Sequence, residues 1–156
     1  MALAEVAAAL GRLAPAEKRG EELKVSGATV INDCYNSNPR ALESMVEALA
    51  GIAGARRLVV AGEMLELGAA GPELHRAAGA QMAARGVDFL LGVRGLAAEM
   101  VAGARERGMK AEFVESPAQA GEWLAANVRP GDVVLLKASR GVRLEEALEA
   151  WREKVR

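Results

Sequence analysis

The sequence predicts an α/β domain in which a mostly parallel sheet carries helices on both faces. Three observations predict it. From residue 28 onward, short apolar runs alternate five times with stretches of helical period. Most of the helical stretches open on Asn, Ser or Pro and close on Gly, the residues that start and stop helices. No repeat, low-complexity tract or internal linker interrupts the pattern. Successive βα units need right-handed crossovers that return over the sheet, and these cover both of its faces with helices.

Taken in order, residues 2–13 place Leu3, Val6, Ala7, Leu10 and Leu13 at helical spacing, and Ala14-Pro15-Ala16 ends the segment. A charged stretch from Glu17 to Glu22 follows. A short amphipathic helix ahead of a polar linker has little to pack on in a standalone domain. Residues 1–16 are therefore expected to be the trailing helix and linker of an upstream domain, and 17–156 the domain proper. Leu23 to Val25 forms a short strand that turns at Ser26-Gly27 into a strand over 28–31. A helix from Pro39 buries Leu42, Met45, Val46, Leu49 and Ile52, with Gly54 suited to its stop. Arg57 to Ala61 is a buried strand, and a helix from about Pro72 to Arg85 is closed by Gly86. Phe89 to Val93 is a strand, Gly95 to Arg107 a helix closed by Gly108, and Ala111 to Val114 a short strand. Ser116-Pro117-Ala118-Gln119 is a capping box with Pro at the first helical position, opening a helix to about Val128. Pro130-Gly131 turns into the strand Asp132 to Leu136, and the last helix carries Leu144, Leu148, Trp151 and Val155 on one face.

Composition removes several function classes. A net charge of −1 leaves no electrostatic footprint for nucleic acid or an anionic membrane. No apolar run approaches the roughly 18 residues of a membrane span, and no signal-peptide pattern opens the chain. One His and one Cys make a His/Cys zinc site and an internal disulfide untenable, so no metal site is expected. A lone Cys fits a reducing compartment, and the cytoplasm is the expected location.

The chemistry gathers in three loops. Val30 to Pro39 runs from an apolar strand into a turn that presents Asp33, Asn36, Ser37, Asn38 and the sole Tyr, Tyr35. Asn38 is a favoured N-cap, and Pro39 follows at the first helical position. The loop after 57–61 offers Glu63 and Glu66, and the loop after 132–136 offers Lys137, Ser139 and Arg140. The three strand ends are expected to share the carboxyl edge of the sheet, where open α/β sheets bind ligands. Cations at a helix N-terminus are unfavourable unless an anion is present. Acids, amides and cations on one edge suit a ligand of both charges, such as an amino acid or a nucleotide. No G-x-x-x-x-G-K-S/T phosphate loop and no G-x-G-x-x-G follows a strand, so neither a self-sufficient P-loop ATPase nor a classical dinucleotide domain is expected. His75 is read as a packing or surface residue, and Cys34 as a buried, inert thiol.

The stretch I-N-D-C-Y-N-S-N-P, from Ile31 to Pro39, resembles a signature of the C-terminal domain of the Mur ligases. Gly62 to Gly68 (G-E-M-L-E-L-G), His75 and Gly79 at H-x-x-x-G, and Lys137-Ala138-Ser139-Arg140 are similar to further motifs of the family, in the same order. Arg19-Gly20-Glu21 resembles the linker that precedes the domain. The Y-N-x-N-P and M-x-E-L-G pair is similar to the branch that joins D-Ala-D-Ala to UDP-N-acetylmuramoyl-tripeptide through an acyl phosphate in peptidoglycan precursor synthesis. The resemblance implies a Rossmann-like fold and an ATP-dependent ligase. It also implies UDP-sugar and P-loop ATPase domains upstream in the same polypeptide, which hold most of the ATP and Mg2+. Carried over by position, Asp33 would bond the ATP ribose and Arg19 would reach the phosphates. Asn36, Ser37 and Asn38 would line the nucleotide or dipeptide site. Lys137, Ser139 and Arg140 would receive the dipeptide carboxylate, and Glu63 or Glu66 its ammonium group. No complete catalytic set is expected in this chain, and activity alone is not expected. Two other readings stay open: a standalone, non-catalytic nucleotide or amino-acid binding module, and the equivalent domain of a related Mur or folylpolyglutamate-type ligase. A complete module would bury Leu3, Val6 and Leu10.

Overall fold

The computed structural model describes residues 19–156. The helix expected over 2–13, and with it the fate of Leu3, Val6 and Leu10, lies outside the described residues. In chain order the elements are β1 (Glu21–Val25), β2 (Ala28–Asp33), α1 (Pro39–Ala50), β3 (Arg57–Gly62), α2 (Gly71–Ala84), β4 (Phe89–Val93), α3 (Ala97–Glu106), β5 (Lys110–Val114), α4 (Pro117–Asn127), β6 (Val133–Lys137) and α5 (Glu145–Lys154). Single 3₁₀ turns at Gly68–Ala70 and Arg140–Val142 lead into α2 and α5.

The six strands form one sheet in the order β1-β2-β6-β3-β4-β5, and every pairing except the β1–β2 hairpin is parallel. Side chains alternate across a strand, so each strand feeds two cores. Val59, Ala61, Leu135 and Leu90 face α1, α2 and α3, meeting Leu42, Val46, Met82 and Met100. Leu58, Val60, Val134 and Leu136 face α4 and α5, meeting Leu124, Leu148 and Trp151. Burial on both faces is why 58–61 and 133–136 read as unbroken apolar runs. Three crossovers run outward on the α1–α3 side. The connection from β5 then returns on the α4 side and inserts β6 between β2 and β3. The loop leaving β6 therefore heads for the face opposite to that reached from β2 and β3. Such a reversal opens a crevice at the carboxyl edge.

Several boundaries differ from expectation. β2 continues to Asp33 and β6 to Lys137, so these two polar residues end strands and do not begin loops. The parallel ladder then sets Asp33 opposite Lys137. α1 stops at Ala50 with Gly51 as its cap, and Gly54 serves packing: a Cβ there would lie 2.4 Å from Val133 Cγ2. Arg94 and Gly95 take left-handed conformations (φ +69° and +51°), which delays α3 to Ala97. Val155 falls after α5 and is exposed, off the apolar face expected to include it.

The amino edge is clamped by Asp132, which is 1% exposed. It accepts hydrogen bonds from Arg56 Nε (2.9 Å), Arg56 Nη2 (2.6 Å) and the Arg129 N–H (2.8 Å). Burial pushes its carboxyl up, but the Arg56 guanidinium and the Arg129 N–H outweigh burial and hold it below the usual value. Among the described residues no helix is long and apolar enough to cross a membrane.

Candidate functional site

The carboxyl ends of β2, β6 and β3 are neighbours in the sheet, so the three polar loops do meet on one edge. Lys137 and Asp33 face each other in register, and Lys137 Nζ donates to Asp33 Oδ2 at 2.5 Å. The same ammonium donates to the Asn36 carbonyl at 2.9 Å, and its side chain is 4% exposed. A buried ammonium needs such partners, because its charge is costly to bury alone. Among the described residues Asp33 Oδ1 takes no hydrogen bond, so the carboxylate keeps one acceptor.

Ser139 is the joint between loops. Its Oγ donates to the Ser37 carbonyl (3.3 Å) and accepts from the Leu65 N–H (2.9 Å), and its N–H donates to the Glu63 carbonyl (3.3 Å). Ser37 itself is buried, and its Oγ has no hydrogen-bond partner among the described residues. Asn36 Oδ1 accepts from the Ser37 N–H, and Asn38 Oδ1 accepts from the Ala41 N–H at 2.8 Å, closing α1 as an N-cap. Both amides are exposed. Tyr35 projects from the turn, 42% exposed, with the guanidinium carbons of Arg19 and Arg140 at 3.8 and 5.7 Å from its ring centroid. Such stacks are favourable and bring two cations to one rim. Cys34 is buried, as expected, with its thiol donating to the Leu136 carbonyl at 3.7 Å.

The loop after β3 is held from below by His75, which is fully buried. The Met64 N–H donates to His75 Nε2 at 2.9 Å, so that nitrogen is an acceptor; Nδ1 carries the proton and donates to the Gly71 carbonyl at 2.6 Å. The ring is a neutral structural clamp. Glu63 is half-buried and engaged within the fold. Its carboxylate packs against Gly95 and accepts the Leu96 N–H at 3.3 Å, supplying α3 with the cap that Leu96 lacks. Glu66 is exposed in a left-handed conformation (φ +66°).

Sequence reasoning missed the loop after β4. Arg94 Nη1 donates to the Gly141 carbonyl at 2.9 Å, tying this fourth loop to the β6 loop. The available signal was an Arg-Gly pair directly after an apolar strand, masked by assigning Gly95 to a helix. Beside α1, a cleft of about 510 Å³ opens, lined among others by Arg19, Asp33, Tyr35, Asn36, Met45 and Lys137. A second cavity, of about 500 Å³, lies at the opposite, amino edge around Arg56, Asp88 and Arg107, and contains none of the expected site residues. The first cleft offers a carboxylate acceptor, an aromatic ring and cations. That donor and acceptor set fits a nucleotide. Among the described residues no three His, Cys, Asp or Glu side chains converge on a metal position.

Comparison with known proteins agrees with this fold. Residues 18–140 match the family described as Mur ligase, glutamate ligase domain. The chain is 35% identical over 160 residues to the UDP-N-acetylmuramoyl-tripeptide–D-alanyl-D-alanine ligase of Mycobacterium leprae, covering 90% of this chain and 31% of that protein. It is 31% identical over 128 residues to the ligase of the same name from Bacillus subtilis, covering 80% and 28% respectively. The chain thus spans about a third of the length of these relatives. The crystal structure of the MurF ligase from Thermotoga maritima in complex with ADP superimposes with a TM-score of 0.78 at 27% identity, over 96% of this chain and 36% of that one. MurF from Acinetobacter baumannii gives a TM-score of 0.82 at 22% identity, over 98% and 34%, and shares the fold. The chain belongs to the Mur ligase family, as its C-terminal, glutamate ligase domain.

Proposed function

We propose that this domain is the nucleotide- and acceptor-facing part of an ATP-dependent ligase that joins D-Ala-D-Ala to UDP-N-acetylmuramoyl-tripeptide in the cytoplasm. One observation carries the reading: Asp33, Glu63 and Ser139, drawn from three separate motifs, are wired into one edge beside the 510 Å³ cleft. Ligases to which the chain is similar carry that activity in their names, and the structure of one relative is a complex with ADP. ATP would supply the energy that activates the tripeptide carboxylate. No phosphate-loop motif is present here, so activation falls to a P-loop ATPase domain, and the chain alone would not turn over. Mg2+ would travel with the phosphates, held mainly outside this domain.

Within the chain, Asp33 Oδ1 would accept from a ribose hydroxyl, and Asp33, Tyr35 and Asn36 line the same cleft. Arg19 brings a cation to its rim for phosphate. Ser139 and Arg140 would orient a dipeptide carboxylate, with Arg140 the exposed cation, and Ser37 and Asn38 would line the nucleotide or dipeptide site. Glu66, exposed, would take the ammonium group. Glu63 would contribute to that ammonium's field from its place at the start of α3. Charges of both signs suit a zwitterion.

The test is an amide NMR titration of the chain with Mg-ATP and then D-Ala-D-Ala. Shifts near Asp33 to Asn36 with nucleotide, and at 63–68 and 138–141 with dipeptide, are expected. A folded chain whose shifts with D-Ala-D-Ala are matched by L-Lys or D-Glu would overturn the acceptor assignment. Shifts with ATP confined to the amino edge would overturn the nucleotide assignment.

A further inference from the structure

The resemblance casts Lys137 as a contact for the dipeptide carboxylate, yet its geometry is that of an internal strut. We propose that Lys137 is a positioning residue for the nucleotide, acting through Asp33 and through the main chain of the turn after β2, and not a substrate contact. The inference rests on the nucleotide reading of Asp33 given above.

Four observations carry it. Lys137 ends β6 directly opposite Asp33 in the ladder, so the pair is set by strand register and not by a mobile loop. Its side chain is 4% exposed and that of Asp33 14%, so neither charge is solvated and each requires the other. Two of the three ammonium donors are directed inward, to Asp33 Oδ2 and the Asn36 carbonyl. The next carbonyl, Ser37, is held by Ser139 Oγ from the same strand end. Two successive carbonyls of the turn are thus tied to β6. The turn cannot shift without breaking a buried charge pair and a buried hydrogen bond together. A ligand carboxylate, by contrast, would find one ammonium donor left, on a side chain only 4% exposed, and would share it with Asp33.

A positioning role separates the two ligands, which a direct contact does not. Lys137→Met is expected to weaken Mg-ATP binding to the chain by about tenfold or more while leaving D-Ala-D-Ala within about twofold. Asp33→Asn alone should weaken Mg-ATP, and the double variant should be no weaker than Asp33→Asn within about twofold, because residues acting in one network are not additive. The turn is also read without ligand. Amide order parameters at 34–37, near 0.85 for a rigid backbone, should fall toward about 0.6 in Lys137→Met, with core amides unmoved. Lys137→Arg should restore part of that order.

Each outcome decides something. If Asp33→Asn binds Mg-ATP as the parent does, the nucleotide reading fails and this proposal falls with it. If Asp33→Asn is weakened but Lys137→Met is not, the nucleotide reading stands and the positioning role falls. Loss of D-Ala-D-Ala with Mg-ATP unchanged would make Lys137 a substrate contact. An unchanged turn in Lys137→Met overturns the strut whatever the ligand data say. Should Lys137→Met not fold, Ser139→Ala removes the second tie alone and must loosen the turn at Ser37.

Discussion

Gly79 gives the most severe test of the packing that supports the site. A Cβ built there lies 1.9 Å from the Met100 carbonyl oxygen and 2.7 Å from its carbon. Gly103 returns the contact, with 2.0 Å from its Cβ to the Arg76 carbonyl oxygen. α2 and α3 therefore cross at backbone contact, with no flexible side chain to yield. An unstrained C···O approach is about 3.3 Å, so Gly79→Ala must part the helices by roughly 1.4 Å. Overpacking costs up to about 3 kcal/mol, and Ala recovers about 1 kcal/mol of helix propensity, leaving a net loss of about 2 kcal/mol. For a domain of this size that lowers Tm by roughly 4–8 °C. Urea unfolding followed by far-UV circular dichroism measures it. Gly86→Ala is the control: φ is +76° and no atom lies within 4 Å, so only the left-handed backbone is penalised, by about 1 kcal/mol. His75 sits one turn before Gly79, so the larger lesion should also move the Met64 amide resonance, which the control should not. A Gly79→Ala chain as stable as the parent would refute the close crossing.

Two further outcomes are expected. The carboxyl of Asp132 is depressed in the folded chain, so its contribution is complete above the unfolded value near pH 4 and is lost as pH falls through the lower folded value. Asp132→Asn should cost about 2 kcal/mol at neutral pH and flatten the acid limb of the stability curve below about pH 4, as measured by urea melts at several pH values; an unchanged acid limb would show that the Arg56 clamp does not drive it. His75→Phe leaves the buried Met64 N–H and Gly71 carbonyl without the ring and should cost about 3 kcal/mol, with faster exchange of the Met64 amide. A variant with parental melting and exchange would remove the clamp.

The fold was legible because its cues are local. Asn38-Pro39 and Ser116-Pro117 do cap α1 and α4 through side-chain bonds to Ala41 and Gln119, as their sequences imply. Gly86 and Gly108 do take left-handed conformations after their helices. Gly54 misled because a glycine near a helix end serves a stop and a tight contact equally well, and only the structure shows Val133 against it. The three-loop edge was legible from parallel topology alone. What joins the loops was not, since register is a long-range property. Asp33 and Lys137 are 104 residues apart, and one residue of slip would put them on opposite faces. His75 shows the same limit: one residue type serves a surface, a catalyst or a clamp, and burial decides.

That limit explains why motif residues divide into two kinds here. Lys137, Ser139, Glu63 and His75 direct their polar atoms at the backbone or at one another, so the loops after β2, β3, β4 and β6 form one bonded edge. The outward groups are Arg19, Tyr35, Asn36, Asn38, Glu66 and Arg140, all of them exposed. An edge assembled this way presents its ligand groups without ordering them afresh at each binding event, which lowers the entropic cost of association. It also makes the inward residues as sensitive to substitution as the outward ones, for a different reason. Loss of an outward group removes one contact. Loss of an inward group leaves a buried partner unpaired and shifts a whole turn. The two kinds of damage are separable in the ratio of nucleotide to dipeptide affinity, where a contact moves one ligand directly and a strut moves only the ligand whose turn it holds.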